Sequence, residues 1–298
     1  MLYYPKGIGK NYIYESKCFV NIFYLNMDKN PLAKKKDHLL SILKGYGSLL
    51  VAYSGGVDSS FLLAAAHEAL GRNLLAVTAA SPLHPEREIR AATVFAKELG
   101  VEHMIIQSKE MSRRNFTANT EDRCYVCKKN LLEDLLKIAK ERKIIHVAHG
   151  ANVDDLNDYR PGFAAAGEMG IKAPLVDAGM TKNDIRMISK QMNLKTWNKP
   201  PMACLATRIP YGTPITFKAL NMVAQAEQVL FDLGFTGCRV RVHGDVARIE
   251  VDTKDIEKII DRKIRPVIIE KLRTIGFSHV AVDLEGYRPG SMNRALSR

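Results

Sequence analysis

Apolar and polar positions along this chain switch between a strand-like and a helix-like period. Leu49–Ala52 is a short apolar run that predicts a buried strand, and an Ala/Leu-rich helical pattern begins near Val57. Leu74–Ala79 predicts a second strand, Pro85–Leu99 a helix and Val101–Gln107 a third strand. Residues 110–123 are polar and irregular, which predicts a mobile flap. Lys128–Arg142 predicts a helix and Ile144–His149 a buried strand that runs into Gly150–Asp155. This alternation argues an α/β fold, a parallel sheet with helices on both faces, in which ligands bind beyond the carboxyl ends of the strands.

After Asn193 the character changes. Lys199-Pro200-Pro201 ends a helical pattern, and a loop over Met202–Thr213 leads to a helix at Phe217–Leu233. Strands at Cys238–His243 and Val246–Val251, helical segments through Asp255–Ile275 and a strand at Val280–Leu284 follow. The pattern divides the chain near residue 198, with an α/β domain over 27–198 and a smaller α+β domain over 199–298. Residues 1–26 are Tyr-rich and low in charge, unlike the rest, and read as an extension ahead of a native start at Met27. Glu15 and Lys17 interrupt their apolar segment, so they do not form a signal peptide.

With 298 residues, 46% of them hydrophobic, the chain can bury a sizeable core, and no run is apolar for long enough to span a bilayer. The net charge is +12, and +10 once Lys6, Lys10, Lys17 and Glu15 of the extension are set aside. That balance suits anionic ligands such as nucleotides, pyrophosphate or RNA without choosing among them. Five cysteines, an odd number with no secretion signal, argue against a disulfide framework and for a reducing cytoplasm.

The chemistry concentrates first at Ser54-Gly-Gly-Val-Asp-Ser-Ser60, where a strand meets a helix. Gly55 and Gly56 let the backbone approach a ligand closely, and the helix start aims N–H groups and a positive dipole end at one spot. Ser54, Ser59 and Ser60 add hydroxyls, and Asp58 is placed to hold a magnesium ion or to orient the loop. No Gly-Lys-Ser/Thr follows the glycines, so this is not a Walker loop. It resembles the PP-loop of ATP pyrophosphatases, which implies cleavage between the α and β phosphates of ATP and adenylation of a substrate oxygen. Gly150, Asp154 and Asp155, at the end of the fourth predicted strand, fall at the same sheet edge and form a candidate wall of the nucleotide site.

A second concentration is Cys124-Tyr-Val-Cys127 at a helix start, with Cys204 distant in sequence. A lone Cys-x-x-Cys is compatible with a redox dithiol, half of a zinc site or chance. There is no second such pair to complete a zinc site, whereas three thiolates can hold a [4Fe–4S] cluster with one iron left open. Arg239 and Arg241 alternate on a predicted strand and therefore share a face suited to a phosphate, or form a solvated basic strand. Arg208 is a further anion contact, and Glu227 is a metal or substrate contact or a surface carboxylate.

The order of these motifs, with Asp122–Lys128, Ala203–Gly212, Arg239-Val-Arg241 and Gly286–Asn293, resembles the LarE family of ATP-dependent sulfur transferases. The resemblance runs from about Leu32 to Ala295. It implies that a carboxylate of pyridinium-3,5-biscarboxylic acid mononucleotide is adenylated with ATP and Mg2+, after which sulfur displaces AMP, in nickel-pincer nucleotide cofactor biosynthesis. It further implies Ser54, Gly55, Gly56, Asp58, Ser59, Ser60, Gly150, Asp154 and Asp155 around ATP, with Arg208, Arg239 and Arg241 on the substrate phosphate. Cys204 matches the cysteine that gives up its own sulfur in one branch of the family. Cys124 and Cys127 add the pattern of a three-cysteine branch, in which a [4Fe–4S] cluster on Cys124, Cys127 and Cys204 relays sulfide from an external source. A homo-oligomer is expected by analogy. The competing reading is a PP-loop iron–sulfur tRNA thiolase, against which stand the absence of zinc-ribbon pairs and of an RNA-binding module in the sequence.

Overall fold

A computed structural model describes residues 31–157, 161–201 and 203–288. The expectations for residues 1–26 and Met27, and the end of the Gly286–Asn293 motif, lie outside the described residues.

Helix α1 (Pro31–Gly45) leads into β1 (Leu49–Ala52), α2 (Val57–Leu70), β2 (Leu74–Ala80), α3 (Glu86–Leu99) and β3 (Glu102–Gln107). Helix α4 (Arg123–Glu141), β4 (His146–His149), α5 (Pro161–Glu168) and α6 (Lys182–Gln191) complete the first layer set. The four strands form one sheet in the order β3-β2-β1-β4, and every pair is parallel. Leu49 pairs with Leu74 on one side and His146 on the other, so β1 lies in the middle and reads as an unbroken apolar run. One face of the sheet packs Leu49, Val51 and Ala76 with Phe61, Leu62 and α1, and the other packs Leu50, Leu75 and Val147 with Leu132 and Leu135 of α4. Helices therefore cover both faces, as the alternating pattern predicted.

The remainder contains α7 (Phe217–Asp232), β5 (Arg239–His243), β6 (Val246–Glu250), α8 (Ile264–Ile275) and β7 (His279–Val282). Its sheet runs β5-β6-β7, antiparallel then parallel. Val240, Ala247 and Ile249 pack against Val223, Leu230 and Leu272, and the same cluster takes in Leu83 and Phe116 from the first half of the chain. No helix among the described residues is long and apolar enough to cross a membrane.

The segment 110–123 differs from its predicted irregularity. It contains helical turns at Glu110–Ser112 and Arg114–Thr117, and Phe116, Asn119 and Arg123 are buried. Its polar residues turn inward to neighbouring carbonyls, and periodicity does not register that. Helix α4 likewise begins five residues before the predicted Lys128, so Cys124 and Cys127 lie inside its first turns.

Candidate functional site

The loop between β1 and α2 follows directly from its composition. Gly55 adopts φ +70°, and a Cβ there would approach Ala92 Cβ of α3 at 3.0 Å, so only glycine fits without displacing that helix. Gly56 caps α2 with extended backbone and no side-chain bond, which leaves the first N–H groups of the helix for a ligand. Ser54 Oγ lies 3.0 Å from Ser59 Oγ, and Ser59 Oγ donates to Gly56 O at 3.3 Å, holding the loop in shape. Ser60 is fully buried and its hydroxyl faces Tyr53 Oη at 3.4 Å rather than the open side of the loop.

The loop after β4 closes against it. A Cβ on Gly150 would lie 2.8 Å from Ser59 N, so glycine is what allows the two sheet-edge loops to touch. Asn152 N donates to Asp155 Oδ2 at 2.9 Å, and Lys182 N donates to Asp154 Oδ2 at 2.7 Å. Thr181 and Asp184 form a reciprocal cap at the start of α6, which fixes Lys182 in its first turn. There Lys182 pairs with Asp58 Oδ2, while Asp58 Oδ1 is buried and has no hydrogen-bond partner among the described residues. Lys199 Nζ donates to Gly55 O at 2.8 Å and pairs with Glu88 Oε2 at 2.6 Å. These groups border a cavity of about 670 Å³ lined by Ser54, Gly56, Asp58, Asp154, Asp155 and Lys199.

A second cavity, of about 530 Å³, adjoins it. Ser54, Gly56, Asp58, Asp155, His84 and Lys128 line both. Cys124, Cys127 and Cys204 all lie on the wall of the second cavity, with Ser59, His149 and Gly150. The fold therefore brings the predicted nucleotide loop and the three predicted cysteines to one depression. Among the described residues no three His, Cys, Asp or Glu side chains converge closely enough to bind a single metal ion. Burial, reinforced by the neighbouring Cys204, pushes the Cys127 thiol up to about 12, and burial also raises Cys204 against the opposing pull of Arg123. Both rest as neutral thiols. Burial, with Lys128 nearby, holds His149 down at about 3, so it too is neutral. The Lys128 amine is pulled below the usual lysine range by burial, partly offset by Cys127.

The three predicted arginines lie behind the Cys204 loop, and none lines either cavity. Arg208, 1% exposed, makes a two-point pair with Glu227 at 2.8 and 3.1 Å and donates to Ala203 O at 3.0 Å and Cys204 O at 3.3 Å. Arg241 pairs with Glu250 at 2.8 Å and donates to Thr207 O at 2.7 Å. Arg239 donates to Pro201 O and Cys238 O, each at 2.7 Å, and stacks over Tyr287 at 4.7 Å. Glu227 is buried, with Oε1 also accepting from Val240 N at 3.1 Å, so it is not a surface carboxylate.

Two features of the site carry no motif in the sequence. Asn119 Nδ2 donates to Pro210 O and Thr213 O at 2.8 Å each, and Arg123, bonded to Asn119 Oδ1, donates to Ala206 O at 3.2 Å. These two fasten the start of α4, and with it Cys124, to the Cys204 loop. Lys182 and Lys199 are the other, and neither stands in a motif that announces contact with the loop at 54–58.

The family described as NAD synthase matches residues 34–157. An uncharacterised protein of Synechocystis is 38% identical over 267 residues, which is 90% of this chain and 100% of that protein. The pyridinium-3,5-bisthiocarboxylic acid mononucleotide synthase of Lactiplantibacillus plantarum is 37% identical over 268 residues, 90% of this chain and 96% of the relative. The glutamine-dependent NAD(+) synthetase of Aquifex aeolicus is 29% identical over 111 residues, 34% of this chain and 19% of that enzyme. The similarity to the synthase extends through nearly the full length of both proteins, and the chain belongs to the LarE family of ATP-using sulfur transferases built on a PP-loop.

Proposed function

We propose that this enzyme converts pyridinium-3,5-biscarboxylic acid mononucleotide to its thiocarboxylate forms, serving synthesis of the nickel-pincer nucleotide. The observation that carries the proposal is the shared wall of the two cavities, which puts a phosphate-binding loop and three thiols within one depression. Residues 27–198 bind ATP in this reading, and residues 199–298 supply the Cys204 loop and the contacts to the substrate.

The β and γ phosphates take the free N–H groups at the start of α2 and the Ser54 and Ser59 hydroxyls. Mg2+ suits Asp58 Oδ1, a hard oxygen donor with no hydrogen-bond partner among the described residues, in a residue that lines the cavity. A substrate carboxylate oxygen then bonds to the α-phosphorus, and the bond to the β-phosphate oxygen breaks with its electron pair leaving in pyrophosphate. Donors fixed in advance lower this barrier because they need no rearrangement as charge develops. Sulfur next attacks the acyl carbon, and AMP leaves.

For the sulfur, the donor set of Cys124, Cys127 and Cys204 fits a [4Fe–4S] cluster. The three thiols share the wall of one cavity, and three thiolates can hold such a cluster with one iron left open. When bound, such a cluster supplies sulfide drawn from an external source. The protein's own part is to keep Cys204 on the cavity wall, which the carbonyl contacts of Arg208 and Arg123 do. Arg208, Arg239 and Arg241 stay the proposed contacts of the substrate phosphate on the strength of the family alone, and reaching it would require each to exchange a carbonyl or carboxylate partner that holds it here.

The test is anaerobic incubation with ATP, Mg2+, sulfide and the pyridinium dicarboxylate mononucleotide, followed by mass analysis of nucleotide and protein. Oxygen-to-sulfur exchange in the nucleotide, with matching pyrophosphate and unchanged Cys204, is the expected result. Loss of the Cys204 sulfur would remove the cluster from the scheme, and pyrophosphate release independent of the nucleotide would remove the substrate.

A further inference from the structure

The seam between the two cavities carries a cation that the scheme above leaves without a task. Lys128 lies one helical turn beyond Cys124 on α4 and lines both cavities. The other cations on the wall of the nucleotide cavity are engaged with the protein. Lys182 holds Asp58, Lys199 holds Gly55 O and Glu88, and Arg186 donates to Trp197 O at 3.2 Å and Lys199 O at 3.0 Å. Among the described residues no hydrogen-bond acceptor or carboxylate pairs with the Lys128 amine. Its stem is nonetheless fixed. A Cβ on Gly162 would lie 3.2 Å from Lys128 Cβ and 3.3 Å from Cγ, so the stem rests on the backbone of α5 where glycine makes room.

In the adenylation reading, on which this inference rests, pyrophosphate belongs on the 54–59 loop and the acyl carbon must face the thiols. The α-phosphorus therefore lies between them, at the seam. We propose that Lys128 is a catalytic residue of the adenylation step, its ammonium bonding a non-bridging oxygen of the ATP α-phosphate as the carboxylate attacks. No proton moves. The bond from carboxylate oxygen to phosphorus forms, the electron pair of the breaking bond leaves with pyrophosphate, and the ammonium offsets charge on the α-phosphoryl oxygens. Lys182 and Lys199 do not substitute for it, because releasing either would strip a partner from Asp58 or from Glu88.

The test uses the full chain and two variants, Lys128→Met, which keeps the stem against Gly162, and Lys128→Arg, which keeps the charge. AMP and adenosine binding are measured by calorimetry, and substrate-driven ATP–pyrophosphate exchange by radiolabel. In Lys128→Met, AMP affinity falls about tenfold or more while adenosine affinity holds, as loss of one charge-assisted bond requires. Exchange falls about 100-fold or more, the scale for removing one oriented donor, and Lys128→Arg recovers part of it. An unchanged ratio of AMP to adenosine affinity in Lys128→Met overturns the proposal. Absence of substrate-driven exchange in the unaltered enzyme overturns the adenylation reading instead, and the AMP–adenosine comparison still decides whether Lys128 meets the α-phosphate.

Discussion

The two walls of the depression are built on opposite principles. The wall at 54–59 comes from a few consecutive residues, mostly backbone and small side chains, and among the described residues it leaves Asp58 Oδ1 and the first N–H groups of α2 without protein partners. The Cys204 wall comes from residues scattered between 119 and 250, and its polar groups pair with one another. Arg123, Arg208, Arg239 and Arg241 donate to the carbonyls of Ala206, Ala203 and Cys204, Pro201, and Thr207, respectively. One wall is left open for a ligand and the other is a frame that fixes a loop lacking regular structure of its own. A buried irregular segment needs its carbonyls satisfied, and long arginine side chains from neighbouring elements do this without a strand or helix.

The largest effect is expected on the framed side. Glu227→Gln leaves the Arg208 guanidinium buried without its counter-charge and should cost about 3–5 kcal/mol, the range for breaking one partner of a buried pair. Urea unfolding measures it, and a double change of Arg208→Met with Glu227→Leu should restore only part of the loss, because it leaves Ala203 O, Cys204 O and Val240 N without these partners. An effect below about 1 kcal/mol would show the pair to be screened like a surface one.

Between the walls stands His149, buried and held at about 3 against an ordinary 6.5. As pH falls below 6.5 the unfolded chain takes a proton that the folded one refuses, so stability is lost progressively from 6.5 down toward 3. At pH 4.5 this amounts to about 2–3 kcal/mol, two pH units at about 1.4 kcal/mol each. His149→Gln should flatten the stability profile between pH 6.5 and 4.5 by that amount, and an unchanged slope would refute it.

The smallest expected effect lies on the open wall. Gly150→Ala forces a Cβ to within 2.8 Å of Ser59 N, backbone that must shift. Overpacking of this kind costs about 1–2 kcal/mol. Because the atom pushed belongs to the phosphate loop, ATP affinity should fall by more than overall stability does. Calorimetric binding beside thermal unfolding reads both, and equal losses would mean that the contact serves only packing.

The two walls were unequally legible beforehand, for the same physical reason. The 54–59 loop is local, so Ser54, Gly55, Gly56, Asp58 and Ser59 announce it in order, with the strand before and the helix after. Ser60 belongs to the same string but turns inward to Tyr53, a matter of helix phase that the motif does not carry. Asn119 and Arg123 sit in a stretch whose polarity predicted a mobile flap, because polarity in sequence cannot distinguish a side chain facing water from one facing a buried carbonyl. Lys182 and Lys199 approach the loop only because α6 and the chain after it fold back over the sheet edge.

Local periodicity and contiguous motifs were enough for the parallel sheet, the placing of the 54–59 loop at its carboxyl edge and the family. Only the packing of distant elements brings three cysteines up to 80 positions apart into one cavity with that loop. It alone decided which charges face the cavity and which are consumed in holding Cys204. Side-chain pairing between distant elements depends on how helices and sheets pack, and no local pattern encodes the partner.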